Sequence, residues 1–218
     1  RLVKDVVSVD GHLLTIDGAS VDLRKLSRIV VVGAGKAGAG MAAALEEIFS
    51  TEALRRADAT CELLGWVNVP ADCVRPLSRI CLHAARPAGV NEPTADGVAG
   101  SQKILELVQG LEESDLCLVV LSGGGSALLP APVDGISLQD KQTITQLLMR
   151  GGATINELNC VRKQLSQIKG GGLARACRSG RMVTLVISDV IGDPLDVIAS
   201  GPTVDDSSTP AEALEIVS

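Results

Sequence analysis

The chain has 218 residues, of which 46% are apolar and 21% charged, a composition that is typical of a folded globular protein and excludes disordered and collagen-like chains. With 20 lysines and arginines against 26 aspartates and glutamates, the formal net charge is −6. This acidic balance, with one Phe, one Trp and no Tyr available for stacking, argues against nucleic acid as a partner.

The six cysteines are spread along the chain without a C-x-x-C pair, and only His12 and His83 could join them as metal ligands. We therefore expect free thiols in a reducing compartment rather than a zinc site. No apolar run reaches the ~18–20 residues of a membrane span, and no basic-then-apolar leader opens the chain, so no membrane partner is predicted. The expected compartment is the cytoplasm, with the mitochondrion as the alternative.

The first predicted element is an N-terminal hairpin. Polar and apolar residues alternate between Val3 and Asp22, with turn residues at Asp10–Gly11 and Asp17–Gly18. We expect this segment, 1–28, to lie at the edge of one domain that covers 29–218.

From Ile29 onward, short β-branched runs alternate with helical segments, a pattern typical of a parallel sheet with helices on both faces. The predicted strands are Ile29–Val32, Cys61–Val67, Arg79–Leu82, Leu116–Leu121 and Val183–Ile187. The predicted helices are Ala37–Phe49, Thr94–Val108, Leu138–Met149 and Ile155–Ile168, with a proline-started helical stretch at Pro210–Val217. These elements predict a Rossmann-like, doubly wound α/β domain with a mostly parallel sheet, in which ligands bind outside the carboxyl ends of the strands.

A glycine-rich loop follows the first of these strands. The run Gly33-Ala-Gly35-Lys36-Ala-Gly38 matches the G-x-G-x-x-G pattern of dinucleotide-binding loops. Two features argue against NAD: Asp58 precedes the next strand instead of ending it, and Lys36 lies inside the loop, where a cation suits phosphate or carboxylate oxygens. A solvated lysine on a tight turn is the alternative for Lys36.

A second loop follows the strand Leu116–Leu121. It reads Ser122, Gly123, Gly124, Gly125, Ser126, and such a run of backbone N–H groups suits anionic oxygens. Ser126 is not predicted to be a hydrolase nucleophile, because the G-x-S-x-G pattern is absent and neither histidine follows it. The structural alternative is that the glycines permit close helix packing.

The predicted helix Ile155–Ile168 carries polar side chains on one face. Those side chains are Asn159, Arg162, Lys163 and Ser166, spaced i, i+3, i+4 and i+7. Lys169 follows, directly before the triple glycine Gly170–Gly172. A solvated face is the alternative, but several cations beside glycine-rich loops favour a polyanionic ligand.

Polar residues also follow the last predicted strand, as Ser188, Asp189 and, before Pro194, Asp193. Carboxylates at this edge of the sheet would suit Mg²⁺ on a nucleotide, because hard cations prefer oxygen ligands. For Asp193 the alternative is a turn cap. Together the loops favour phosphoryl transfer, which depends on positioning and charge neutralisation.

These loops resemble, in the same order, motifs of the N-terminal domain of the two-domain glycerate kinases, and the animal enzymes are the more similar ones. The motifs are Gly33-Ala-Gly35-Lys36-Ala, Ser122-Gly-Gly-Gly-Ser126-Ala-Leu-Leu, Asn159-Cys-Val-Arg162-Lys163-Gln-Leu-Ser166-Gln-Ile-Lys169-Gly-Gly, and Ser188-Asp189-Val-Ile-Gly-Asp193-Pro with Ile198-Ala-Ser200-Gly201-Pro202-Thr203. The resemblance implies transfer of the γ-phosphoryl group of ATP, with Mg²⁺, to the 2-hydroxyl of D-glycerate in serine and fructose breakdown.

The resemblance also assigns roles to residues. Lys36 and Arg162 are expected to be catalytic, with Lys36 at the glycerate carboxylate or the transferring phosphoryl group. Substrate or nucleotide would be bound by Gly33, Gly35, Ser122, Gly123, Gly124, Gly125, Ser126, Asn159, Lys163, Lys169 and Ser188. Mg²⁺ would be held by Asp189 and Asp193. Association with further copies of the chain, as a homo-oligomer, is the other partner expected.

In that family the active site lies between two domains, and the leucine-rich C-terminal domain has no counterpart in this sequence. Because the chain starts at Arg1 and stops at Ser218, we expect a fragment that folds but has little or no activity alone. One alternative is an NAD(P)H-dependent hydroxypyruvate reductase that uses the loop Gly33–Gly38. The other is a non-catalytic anion-binding module.

Overall fold

The structure, a computed structural model, describes residues 2–188, 192 and 194–218. Its strands are β1 (Val7–Asp10), β2 (Leu13–Ile16), β3 (Ala19–Asp22), β4 (Arg28–Ala34), β5 (Glu62–Pro70), β6 (Ile80–Arg86), β7 (Leu116–Ser122) and β8 (Arg181–Ile187). Its helices are α1 (Leu2–Val6), α2 (Gly38–Ile48), α3 (Thr51–Arg56), α4 (Ala95–Gln109), α5 (Gly125–Leu128), α6 (Leu138–Arg150), α7 (Ile155–Gln164), α8 (Gly172–Ala176) and α9 (Pro210–Val217). Short 3₁₀ turns lie at Leu23–Lys25, Ala71–Cys73 and Ile198–Ser200.

The N-terminal segment is a three-stranded antiparallel meander, β1-β2-β3, where the sequence predicted a hairpin. Both predicted turns are present, with Gly11 and Gly18 at positive φ (+54° and +80°), and the second turn leads into the additional strand. Leu14 and Leu23 are fully buried in the same apolar core as α2. The meander is therefore packed on the main sheet's core.

The main sheet is parallel, with the strand order β6-β5-β4-β7-β8. Counting only the parallel strands, this is the order 3-2-1-4-5 of doubly wound folds, so the predicted Rossmann-like class is confirmed. Residues of β4 alternate between two covered faces: Ile29 and Val31 share a core with α2, while Val30 and Val32 share one with α4. The strand order reverses between β4 and β7, so the carboxyl ends of these strands define the ligand-binding crevice.

Beside the sheet, α6, α7 and α9 enclose a small apolar core that includes Leu148, Leu158, Val161 and Ala213. Each of the three helices begins with a capping box, in which a hydroxyl and a carboxylate bond reciprocally to backbone N–H groups. In α6 the box is formed by Ser137 and Asp140, and the helix begins at Leu138 as predicted.

Helix α7 ends at Gln164, four residues before the predicted end at Ile168. The chain beyond it leaves the helix because it pairs with the segment after α5. Ser166 forms a bridge with Pro132, and the N–H of Gln167 donates to the carbonyl of Ala131 at 2.9 Å. This departure carries Lys169 back toward α5.

Among the described residues, no helix combines the length and apolar character that crossing a membrane requires. The six cysteines, all within the described part of the chain, are free thiols. The described residues also bring together no group of three or more His, Cys, Asp or Glu side chains that could hold a metal ion.

Candidate active site

The loop after β4 lies at the crevice, and the protein itself satisfies its backbone. Four consecutive N–H groups donate to protein acceptors: Gly35 to the carbonyl of Asn68 (3.2 Å), Lys36 to that of Gly123 (3.0 Å), Ala37 to Ser122 Oγ (3.0 Å) and Gly38 to the carbonyl of Gly35 (3.1 Å). In dinucleotide-binding folds the N–H groups at this helix start face the pyrophosphate. In this chain the N–H groups of residues 35–38, which lead into α2, are already bonded.

The first two glycines of the loop are required by packing against β7. Gly33 and Gly35 have φ values of +147° and +143°. A Cβ on Gly33 would lie 1.9 Å from the carbonyl oxygen of Val120, and one on Gly35 would lie 2.0 Å from Ser122 Oγ. Close approach of two chain segments therefore explains these glycines, and their predicted role in ligand binding stays a prediction.

Two cations flank the turn at Ser122–Ser126. Gly124, in the left-handed conformation with φ +80°, begins the short helix α5. A Cβ there would lie 3.0 Å from Arg86 Nη2 and 3.4 Å from Lys36 Cε. Lys36 is exposed to solvent, whereas Arg86 is 3% exposed.

Arg86 ends β6 and was not among the predicted site residues. Its Nη1 donates to the carbonyl of Val90 and, at 2.7 Å, to Asn91 Oδ1. Its Nε has no hydrogen-bond partner in the described part of the chain. Burial lowers the pKa of Arg86, and no ion pair of the described residues neutralises it.

Ser126 joins three segments through its side chain. Its Oγ accepts from Lys169 Nζ at 2.9 Å and from Arg162 Nη2 at 3.0 Å, so both lone pairs are used. The hydroxyl hydrogen is then left to donate to Ser200 Oγ at 2.9 Å. Lys169 Nζ also donates to the carbonyl of Ser126, at 2.9 Å. Ser126 therefore positions two cations.

The segment that receives this hydrogen bond has a strained backbone. Ala199 and Ser200 both adopt positive φ (+52° and +62°), which residues other than glycine rarely do. A Cβ on Gly125 would lie 3.0 Å from Ala199 Cβ, so this glycine lets the segment pack against α5. The N–H of Gly170 donates to the carbonyl of Ser200 at 3.0 Å and ties the segment to the turn after Lys169.

A cavity of about 690 Å³ opens between this turn, α6 and α7. Its wall contains Lys141, Arg162 and Lys169, whereas the one carboxylate among the described lining residues is the exposed Glu92. No ion pair of the described residues includes any of the three cations. The cavity has the size of a small-molecule site, roughly 300–1,000 Å³, and a positive wall in an acidic protein.

Burial lowers the pKa of all three cations. Burial, and then the charge of Arg162, lowers the pKa of Lys141 to about 8. Burial lowers the pKa of Arg162 as well. For Lys169, burial and then the charges of Arg162 and Lys141 hold the pKa well below its usual range. An anion in the cavity would relieve this repulsion, because opposite charge favours the protonated forms.

The structure brings together only part of the predicted site. Ser122, Gly123, Gly124, Gly125, Ser126, Arg162 and Lys169 line the cavity. Asn159 and Lys163 are buried on α7 outside that lining, and Lys36 is also outside it. Lys163 Nζ instead lies 3.1 Å from Asp206 Oδ1 in a buried ion pair.

Three predicted residues follow β8 in the sequence. Ser188 directly follows this strand at the carboxyl edge of the sheet. Asp189 and Asp193 lie outside the described residues. The assignment of Mg²⁺ to these two carboxylates therefore stays a prediction.

Sequence reasoning missed Lys141 and Arg86. Lys141 lies on the same face of α6 as Leu138 and Leu148, at spacings of three and seven residues, so a lysine inside an apolar stripe was the available signal. Arg86 is a charged residue that ends an apolar strand at the sheet edge where ligands bind.

The family described as "Domain of unknown function (DUF4147)" matches residues 1–218. The chain belongs to this family. It is 41% identical over 220 residues to human "Glycerate kinase", covering 95% of this chain and 40% of that protein. It is also 42% identical over 213 residues to an Agrobacterium vitis "Putative hydroxypyruvate reductase", covering 97% of this chain and 45% of the relative.

Two crystal structures share the fold of this DUF4147 chain. One is a Pyrococcus horikoshii protein with a TM-score of 0.88 and 34% identity, covering 100% of this chain and 46% of that one. The other is the glycerate kinase of Thermotoga maritima, with a TM-score of 0.76 and 40% identity, covering 88% of this chain and 44% of that one. The predicted resemblance is therefore confirmed, and the chain spans less than half the length of these relatives.

Proposed function

We propose that this DUF4147 domain takes part in phosphorylating D-glycerate with ATP to give 2-phosphoglycerate and ADP. The observation that carries the proposal is the cavity beside the carboxyl end of β7, whose wall holds Arg162 and Lys169 on the hydroxyl of Ser126. Both substrates are anions, and the relatives of this chain include proteins named glycerate kinase.

In the proposed reaction the 2-hydroxyl oxygen of glycerate forms a bond to the γ-phosphorus of ATP. The bond from that phosphorus to the β,γ-bridging oxygen breaks, ADP leaves, and the hydroxyl proton is released. Negative charge on the transferred group is stabilised by fixed cations, which is the main contribution of the protein in phosphoryl transfer. Arg162 and Lys169 are suited to this task, because their bonds to Ser126 fix them before a ligand arrives.

Lys36 would act from the other side of the Ser122–Ser126 turn. Its stem lies next to Gly124 and its ammonium group is in an exposed position, so a ligand lying over the turn could meet it. Mg²⁺, with Asp189 and Asp193 as ligands, belongs to the same proposal. Charge neutralisation by Arg162 and Lys169 does not depend on it.

The reductase alternative places a dinucleotide on the Gly33–Gly38 loop. That loop has four N–H groups committed to protein acceptors, and a Cβ at Gly35 would already collide with Ser122 Oγ. A pyrophosphate would have to displace these bonds. These bonds therefore argue against an NAD(P)H site on this loop.

The experiment is a coupled ADP-release assay with D-glycerate, ATP and Mg²⁺, run on the 218-residue chain and on any longer product of the same reading frame. We expect ADP release that depends on D-glycerate from the longer product and little or none from the 218-residue chain. In the longer product, this activity should fall at least about 100-fold in Arg162→Ala and Lys36→Ala. The matched control is Lys103→Ala, because Lys103 forms only an exposed ion pair with Glu106 on α4.

Oxidation of NAD(P)H by hydroxypyruvate, with no ADP release from either chain length, would assign the domain to the reductase alternative. Glycerate-dependent ADP release that is unchanged in Arg162→Ala would leave the kinase activity standing but remove this cavity as its site.

A further inference from the structure

Lys141 is a buried cation whose side chain has no hydrogen-bond or ion-pair partner among the described residues. The residue is 8% exposed, and no hydrogen bond from a described residue reaches its Nζ. It lies on α6 in the cavity wall beside Gln142 and Thr145. An ammonium group in such a position is destabilising unless a counter-charge or several acceptors surround it.

Two neighbouring cations make the buried charge of Lys141 still less favourable. Arg162 lies close enough to lower the pKa of Lys141, and Lys141 and Arg162 both act on Lys169 in the same direction. Three cations from α6, α7 and the turn after α7 therefore face one cavity, where Glu92 is the one carboxylate among the described lining residues. A wall of like charges persists in a fold when its compensating charge arrives with a ligand.

We propose that Lys141, together with Arg162 and Lys169, forms a subsite for a compact oxyanion, namely a carboxylate or phosphate group of a small ligand. Apolar side chains such as Ile155 and Leu158 line the same cavity, so the charged end of a ligand would be drawn to the three cations. The inference deepens the proposed function, since glycerate has a carboxylate and ATP has phosphates. Its test does not require turnover.

The experiment is calorimetric titration of the chain with two probes, inorganic phosphate and D-glycerate, each with the wild-type protein, Lys141→Met, Lys141→Arg and Lys103→Met. We expect Lys141→Met to bind at least one of the two probes about 10-fold or more weakly than the wild type does, because a charge-assisted hydrogen bond is lost. Lys141→Arg should restore most of this binding because it keeps the positive charge. Lys103→Met, which changes an exposed lysine of α4, should bind both probes as the wild type does.

The two probes identify the source of the oxyanion. Loss of phosphate binding alone would assign the subsite to a phosphoryl group, and loss of D-glycerate binding would assign it to the substrate carboxylate. Equal binding of both probes by Lys141→Met and the wild type would overturn the proposal.

A folding measurement separates ligand binding from a structural role. We expect Lys141→Met to unfold at a higher Tm than the wild type in buffer without phosphate, because an unpaired buried charge is removed. Phosphate should raise the Tm of the wild type and of Lys141→Arg but not that of Lys141→Met. A lower Tm for Lys141→Met, or its failure to fold, would show that Lys141 serves the fold and would overturn the proposal. Because none of these measurements involves ATP, failure of the kinase assay would leave their outcome unaffected.

Discussion

Two lysines on neighbouring helices are buried to the same extent and have opposite surroundings. Lys163 on α7 and Lys141 on α6 are each 8% exposed. Lys163 lies 3.1 Å from Asp206, which is itself held by the N–H and hydroxyl of Ser208 at 3.0 and 2.8 Å. Lys141 faces a cavity and two further cations, and its Nζ has no partner among the described residues.

The comparison shows what a buried charge does in each setting. A lysine with a carboxylate partner ties two segments together, here α7 and the chain before α9. A lysine without one destabilises the ligand-free fold and is suited to binding an anion. Burial alone therefore does not separate structural from functional cations in this domain, whereas the presence of a partner does.

The largest effect is expected when Lys163 is made to resemble Lys141. Asp206→Asn removes the carboxylate and leaves the Lys163 ammonium buried without a counter-charge, which should lower the free energy of unfolding by about 3 kcal/mol. Urea denaturation measures this loss. The matched control is Glu106→Gln, which breaks the exposed pair with Lys103 and should change stability by less than about 0.5 kcal/mol. A loss below about 1 kcal/mol for Asp206→Asn would show that the pair is not structural.

The second largest effect is a gain in stability rather than a loss. Lys141→Met replaces an unpaired buried charge with an apolar side chain of similar length, and at pH 7 it should raise the free energy of unfolding by about 1–3 kcal/mol. Urea denaturation in phosphate-free buffer measures the gain. The matched variant Lys163→Met should be destabilising instead, because it leaves the mostly buried carboxylate of Asp206 without its cation. If both variants shift stability in the same direction, the comparison of the two lysines fails.

Local sequence signals predicted the sheet and its loops. Continuous apolar runs defined the central strands β4 and β7, and glycine clusters marked the turns that follow them. These signals can be detected in a short stretch of sequence. A strand buried on both faces is a continuous apolar run, and a turn that needs positive φ usually contains glycine.

The partners of the buried cations could not be predicted in this way. Lys163 shares a helix face with Arg162, so the sequence placed both in one site, but its partner Asp206 lies 43 residues further along the chain. Lys141 is buried where α6 packs against α7, and it acts electrostatically on Lys169 across that contact, which is a tertiary arrangement. Spacing within one helix shows which residues share a face but not what that face meets.

The third effect is a difference in the pH dependence of stability between the wild type and Lys141→Met. The pKa of Lys141 in the folded chain is about 8, below its ordinary value of 10.5, because of burial and then Arg162. Between these two pH values the unfolded chain binds more protons at this site than the folded chain, so the wild type gains stability as pH rises, by about 1 kcal/mol per pH unit. Below pH 8 the full destabilisation is present.

Denaturation of the wild type and Lys141→Met from pH 7 to 10 measures this effect, and their difference in stability should shrink across that range. The other charged groups of the cavity wall, Arg162, Lys169 and Glu92, are present in both proteins, so the difference reports Lys141 together with the change that its charge makes to the pKa of Lys169. Phosphate affinity of the wild type should fall as pH rises through about 8, because the anion requires the protonated lysine. A constant difference between the two proteins would assign the shifted titration to another group.

The smallest stability effect is expected at a third lysine, whose setting differs from both. Lys36 is exposed beside Gly124, so Lys36→Ala should change the free energy of unfolding by less than about 0.5 kcal/mol. Its predicted catalytic role requires a large loss of glycerate-dependent ADP release in the same variant. Urea denaturation and the coupled assay on one protein preparation measure both quantities. A lysine that matters for activity and not for stability completes the comparison. The charge of Lys36 is solvated until a ligand binds, whereas Lys141 is buried and has no partner among the described residues. Equal losses of stability and activity would instead show that Lys36 acts by holding the loop after β4 in place.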